Sequence, residues 1–153
     1  MNVDVQRAIS LAGVPDDADL IRVAEAALPV EGAAGICLRI VDEAESRALN
    51  HRWRGKDAPT NVLSFPAEAP PGLPDSALPH GVAGDLALCA PVIAREAHDQ
   101  GKPLADHWAH LVIHGILHLR GFDHIQDDHA EEMEQLEREL LAGLGIADPY
   151  RDA

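Results

Sequence analysis

The run His114-Gly115-Ile116-Leu117-His118-Leu119-Arg120-Gly121-Phe122-Asp123-His124 restricts this chain more than any other segment. A helix turns about 100° and rises about 1.5 Å per residue, so residues 114 and 118 lie about 40° apart on one face. Two imidazoles so placed can converge on one ion at Zn–N distances of roughly 2.0–2.1 Å. Were the helix to continue, His124 would stand about 15 Å along the axis from His114, outside any shared coordination sphere. The chain therefore has to turn back, and Gly121 is where a left-handed residue can close the helix at little steric cost. Three imidazole nitrogens with a fourth position left to water is the arrangement of a catalytic zinc rather than a structural one. An isolated H-x-x-x-H pair would read as a His-rich helix with a satisfied polar face. The third His and the intervening Gly turn the reading toward a single bound zinc ion.

H-E-x-x-H-x-x-G-x-x-H is the metzincin protease pattern. The histidines and the Gly match it here, but Gly115 stands where those proteases carry a general-base Glu. The expected Met-turn is not evident either: Met133, the only internal Met, falls in an apolar helical stripe. Metal geometry without peptidase machinery points to a metal-dependent hydrolase of another kind.

A length of 153 residues suits one domain, residues 1–153, with a sizeable core. No apolar run approaches the roughly 20 residues of a membrane span. Residues 1–10 have neither the basic start nor the apolar stretch of a signal peptide. Cys37 and Cys89 fall in predicted strands and read as buried, reduced thiols, so a cytoplasmic location is expected. The net charge of −14 is awkward for a nucleic-acid protein, which is expected to show a basic patch. Much of the acidity is local. Between Gly121 and Glu139 eight acids face Arg138 alone, which reads mostly as a solvated helix face, while Arg52, Arg54 and Lys56 cluster elsewhere.

Strands are predicted over residues 3–9, 35–41, 60–65 and 84–89. Helices are predicted from an Asp16/Asp17 cap to Leu28, and from Asp42 with Glu45 in the capping-box position. A third runs from Pro91 to Gly101. A fourth opens at Pro103, with His107, His110, His114 and His118 on one stripe and Leu104, Trp108, Leu111, Val112 and Ile116 in the core. The last is capped by Asp128, with Glu131 three residues later and Met133, Leu136, Leu140 and Leu144 as its apolar face. Residues 66–83, rich in Pro, read as a loop. The sum is an α+β fold: a single four-stranded sheet covered by about five helices, with a three-histidine metal site at the end of a central helix. Strand order stays open.

The segment His51-Arg52-Trp53-Arg54-Gly55-Lys56-Asp57 leading into Asn61-Val62-Leu63-Ser64-Phe65-Pro66 puts a compact basic group before a strand. Arg offers a planar fork of donors that matches phosphate oxygens; the plainer reading is an exposed basic turn. With this segment, the histidine run, Gly84-Asp85, Asp127-Asp128 and Glu131-Glu132-Met133, the chain resembles the YbeY family of metal-dependent endoribonucleases from about residue 35 to 150. Phe122 stands where many members have Tyr. The resemblance implies zinc held by His114, His118 and His124, an essential Arg54, and a single-stranded RNA substrate. It further implies work at the 3′ end of 16S rRNA and in quality control of the small ribosomal subunit, with no DNA or membrane partner.

On that reading zinc lowers the pKa of water toward about 7 and polarises the scissile phosphate, or assists attack by the RNA 2′-hydroxyl, while Arg54 stabilises phosphoryl charge. The general base stays unassigned. His107 and His110 share the metal face without being expected as ligands. His51, His80, His98 and His129 read as surface residues. Asp123, Asp127 and Asp128 are candidates to orient a ligand imidazole, but turn or cap roles suit them better. Two rivals remain: a metallopeptidase, and a non-catalytic ribosome assembly factor in which zinc only staples the C-terminal helices.

Overall fold

The computed structural model describes residues 3–28, 33–66, 82–120 and 127–150. Its elements run β1 (Val3–Arg7), α1 (Asp17–Ala27), β2 (Ala33–Val41), α2 (Glu43–Arg54), β3 (Val62–Pro66), β4 (Val82–Cys89), α3 (Ala90–Gln100), α4 (Leu104–Leu119) and α5 (Asp127–Gly143). Among the described residues this is the expected α+β architecture of one four-stranded sheet and five helices. The strand order is β1-β2-β4-β3. β1, β2 and β4 are mutually parallel, and β3 runs antiparallel along β4, with Ser64 opposite Leu86. Ile36, Leu38 and Ile40 of β2 and Leu86 and Leu88 of β4 alternate onto one face of the sheet and are all buried, whereas the neighbouring Arg39 and Asp85 are not.

Local chemistry sets the helix ends. The Asp16 carboxylate accepts from the Asp19 N–H at 2.9 Å, and Asp42 accepts from the Glu45 N–H at 2.8 Å. The capping box expected at Asp42 differs on one side, because the Glu45 carboxylate pairs with Arg39 on β2. Gly101 closes α3. α5 begins at Asp127, so Asp128 lies inside the first turn rather than at the cap. Cys89 is buried as expected, but Cys37 is only half-buried; both are free thiols. No described helix is long and apolar enough to cross a membrane.

α4 is the hub. It packs on α1, α3 and α5 and lies against β3 and β4. Its core side is Trp108, Leu111, Val112, Ile113, Ile116 and Leu117, each 4% exposed or less. At Gly115 helix and sheet come too close to admit a side chain unless a neighbour shifts. A Cβ there would stand 2.8 Å from a Leu86 methyl and 3.2 Å from Val62. The Gly115 carbonyl also accepts from the Ser64 hydroxyl at 3.0 Å, tying α4 to β3.

Candidate metal centre and cleft

The polar stripe of α4 faces α3, α5 and the sheet end rather than open solvent. His107 is buried, and its Nε2 lies 3.0 Å from Glu96 of α3. His110, His114 and His118 are half-buried. The Nε2 atoms of His114 and His118 stand 3.1 Å apart, with the rings at 78°. Two ligands of a tetrahedral zinc at 2.0–2.1 Å would be separated by roughly 3.3–3.4 Å. The pair therefore has the spacing of two donors on one ion.

Behind His114 sits Glu137 of α5, wholly buried. Its Oε1 lies 2.8 Å from Nδ1 of His114, its Oε2 lies 2.8 Å from Nε2 of His110, and the Tyr150 hydroxyl donates to Oε2. Burial pushes the carboxyl up, but the hydrogen bonds from His110, His114 and Tyr150 outweigh it and hold the group down at about 2. Burial, then the contact with Glu137, pushes the Tyr150 phenol well above its ordinary range. A carboxylate can only accept, so the proton on His114 lies at Nδ1 and the lone pair at Nε2, the atom that meets His118. That carboxylate–imidazole arrangement is the one that commonly backs a metal ligand. Ligand atoms of His110, His114 and Glu137 also lie within 4.8 Å of one another, so this trio is itself a set that could hold a cation. In either set the donors fit a borderline-soft divalent ion such as zinc.

Arg54 enters the same space. A cleft of about 930 Å³ is lined by Arg54, Trp53, Asn61, Ser64, Phe65, Asp85, His114 and His118. Arg54 ends α2, and the turn and loop that follow it are held by side chains of that helix. Gly55 caps α2 in the left-handed conformation (φ 71°), reversing the chain immediately after Arg54. Two buried polar residues of α2 brace the loop beyond that turn. Ser46 donates to the Thr60 carbonyl at 2.9 Å, and Asn50 donates to the Ala58 carbonyl at 2.8 Å. Arg47 clamps Asp57 at 2.7 Å. A second cavity of about 470 Å³ adjoins the first, sharing Asn61 and His114 and reaching Glu96, His107, His110 and Tyr150. Asn61 donates to Glu96 at 3.1 Å, and Nδ1 of both His107 and His110 is buried with no hydrogen-bond partner among the described residues.

Of the expected site residues, His114, His118 and Arg54 thus come together at one cleft. His124, Gly121 and Asp123 lie outside the described residues, as does His80; His51 and His98 are exposed. Glu137 and Tyr150 escaped sequence reasoning. The signal for Glu137 was present: it sits four residues from both Met133 and Leu141, and all three are fully buried. Reading the acids of this segment as a solvated face therefore fails at Glu137, which desolvation alone would exclude and three hydrogen bonds retain.

Fold and site together define a small α+β protein with an imidazole–carboxylate cluster of metal-ligand geometry opening on an arginine-lined cleft. The profile of the family described as Endoribonuclease YbeY matches residues 17–145. An endoribonuclease YbeY of Alkalilimnicola ehrlichii is 57% identical over 155 residues, covering 99% of this chain and 92% of that one. One from Pseudomonas entomophila is 58% identical over 153 residues, covering 99% and 94%. One from Halorhodospira halophila is 61% identical over 117 residues, covering 76% and 75%. The chain belongs to the YbeY family. A solution structure of a Thermotoga maritima protein shares the fold, with a TM-score of 0.54 at 21% identity over 98% of this chain and 99% of that one.

Proposed function

We propose that this chain, as one domain spanning residues 1–153, is a zinc-dependent endoribonuclease that cleaves single-stranded RNA. The observation that carries the reading is the 3.1 Å approach of the His114 and His118 Nε2 atoms inside the cleft that Arg54 also lines. His114, His118 and His124 hold the metal in this proposal. Glu137 is the acceptor that fixes the His114 tautomer, not a ligand, since both its oxygens already face imidazole nitrogens. When bound, the ion supplies Lewis-acid charge and acidifies water. Arg54 binds the phosphoryl oxygens and stabilises their charge as the bond breaks. Gly115 leaves no room for a general base at its position, which removes the support for a peptidase. Family membership supports RNA as substrate. The place of action, the 3′ end of 16S rRNA on the small ribosomal subunit in the cytoplasm, rests on the same kinship.

The test pairs metal analysis of purified protein with cleavage of single-stranded RNA by the parent, His114→Ala and Arg54→Ala forms. Stoichiometric zinc and cleavage lost in both variants are expected; RNA cleavage unchanged in His114→Ala would end the proposal. One observation favours the rival staple: Glu137 already joins α5 to two imidazoles of α4. Unfolding on chelation, with no nuclease activity in any preparation, would select that rival.

A further inference from the structure

Leu11 and Trp53 are the two large apolar side chains left exposed among the described residues, and Trp53 is 62% exposed. The other tryptophan, Trp108, is 1% exposed. Burial of an indole is worth so much that an uncovered one in the wall of a functional cleft asks for an occupant. Trp53 is the residue before Arg54 on the last turn of α2, and both line the cleft with His114 and His118. Its ring meets Phe65 edge-on at 5.9 Å, which sets its orientation against β3. The Arg52 guanidinium lies over the ring, 5.5 Å from its centroid, and backs one face of the indole.

We infer that Trp53, buttressed by Phe65 and Arg52, is a stacking platform for one unpaired nucleobase of the RNA strand whose phosphate Arg54 holds. The inference rests on the RNA-cleaving reading and deepens it. Continuity with the arginine names the occupant: a ligand that brings an anion to Arg54 and a flat π-face to the adjoining indole is a nucleotide. Every base has such a face, so the platform is tolerant of sequence. In a duplex the faces are covered by the stack, so only a single strand can use it. The platform therefore supplies a physical ground for single-strand preference that neither the metal nor Arg54 provides, since both address phosphate.

Full-length protein is mixed rapidly with a single-stranded RNA hexamer or with an abasic ribose–phosphate strand of equal length, and tryptophan fluorescence is read before turnover. The expected result is saturable quenching by RNA and none by the abasic strand. Trp53→Leu weakens RNA binding roughly 5- to 150-fold, the range set by stacking on one aromatic, and leaves abasic-strand affinity unchanged. Trp53→Tyr restores most of the loss. Exposure of the side chain lets both variants fold, which circular dichroism checks. If Trp53→Leu binds and cleaves RNA as the parent does, the platform is refuted while the nuclease reading stands. If the parent neither binds nor cleaves RNA, both fall. A change in sedimentation with unchanged RNA affinity gives the surface to a second copy of the chain and overturns the inference.

Discussion

Nδ1 of His114 lies 2.8 Å from Oε1 of Glu137, so one buried carboxylate on α5 decides which nitrogen of an α4 imidazole points its lone pair into the cleft. Replacing Glu137 by Gln keeps the shape and removes the obligatory acceptor. Zinc affinity is expected to fall about 10- to 100-fold, measured by competition with a chromogenic chelator. An unchanged affinity would leave Glu137 with a purely structural part.

The same carboxylate predicts an acid limb of stability. In the folded chain it titrates at about 2, below the ordinary 4.5. A depressed carboxylate contributes stability above its unfolded value and loses that contribution as pH falls toward the folded one. Metal-free protein should lose on the order of 3 kcal/mol between about pH 4.5 and 2 from this group. Urea unfolding across that window should show the loss in the parent and not in Glu137→Gln; parallel profiles would contradict it.

Arg54 is exposed and lines the cleft from the last turn of α2. Arg54→Ala should leave the melting temperature within a degree or two and reduce RNA cleavage by about 100- to 1,000-fold. Arg54→Lys should recover only part, because a point charge does not reproduce a bidentate fork. Equal cleavage by parent and Arg54→Ala would remove Arg54 from the chemistry.

Gly115→Ala sets a gain in helix propensity of about 1 kcal/mol against overlap with Leu86 and Val62. Overpacking of this kind costs about 1–3 kcal/mol, so a small net destabilisation is expected. Gly115→Glu, which would recreate the protease pattern, should fail to fold and should cleave no peptide. Thermal melts and a peptide-hydrolysis assay decide both.

Much of this architecture was legible because its signals are local. Asp16, Asp42, Pro91 and Gly101 mark helix ends by chemistry that operates within a few residues, and the histidine spacing of α4 is helical arithmetic. Strand order was not legible, because parallel pairing of β1, β2 and β4 joins segments with no shared local mark. Arg54 was found by its neighbours in sequence, yet its sharing of one cleft with His114 comes from the packing of α2 on β4 and of α4 on β3 and β4, which no local spacing marks. Glu137 was hidden by its company: seven other acids in the same stretch suggested solvent, and only the four-residue spacing from Met133 and Leu141 marked it as inward. The Gly121 reversal and His124, on which the three-histidine reading leans, lie outside the described residues.

The hydroxyl of Ser64 anchored on the Gly115 carbonyl carries a mechanical consequence. β3 forms one wall of the groove and α4 displays the imidazoles, and this bond, together with the bare glycine contact beneath it, yokes the two into one frame. The cleft wall that bears Ser64 and Phe65 is thereby set in register with His114 and His118, so the spacing between the two walls is written into the backbone itself.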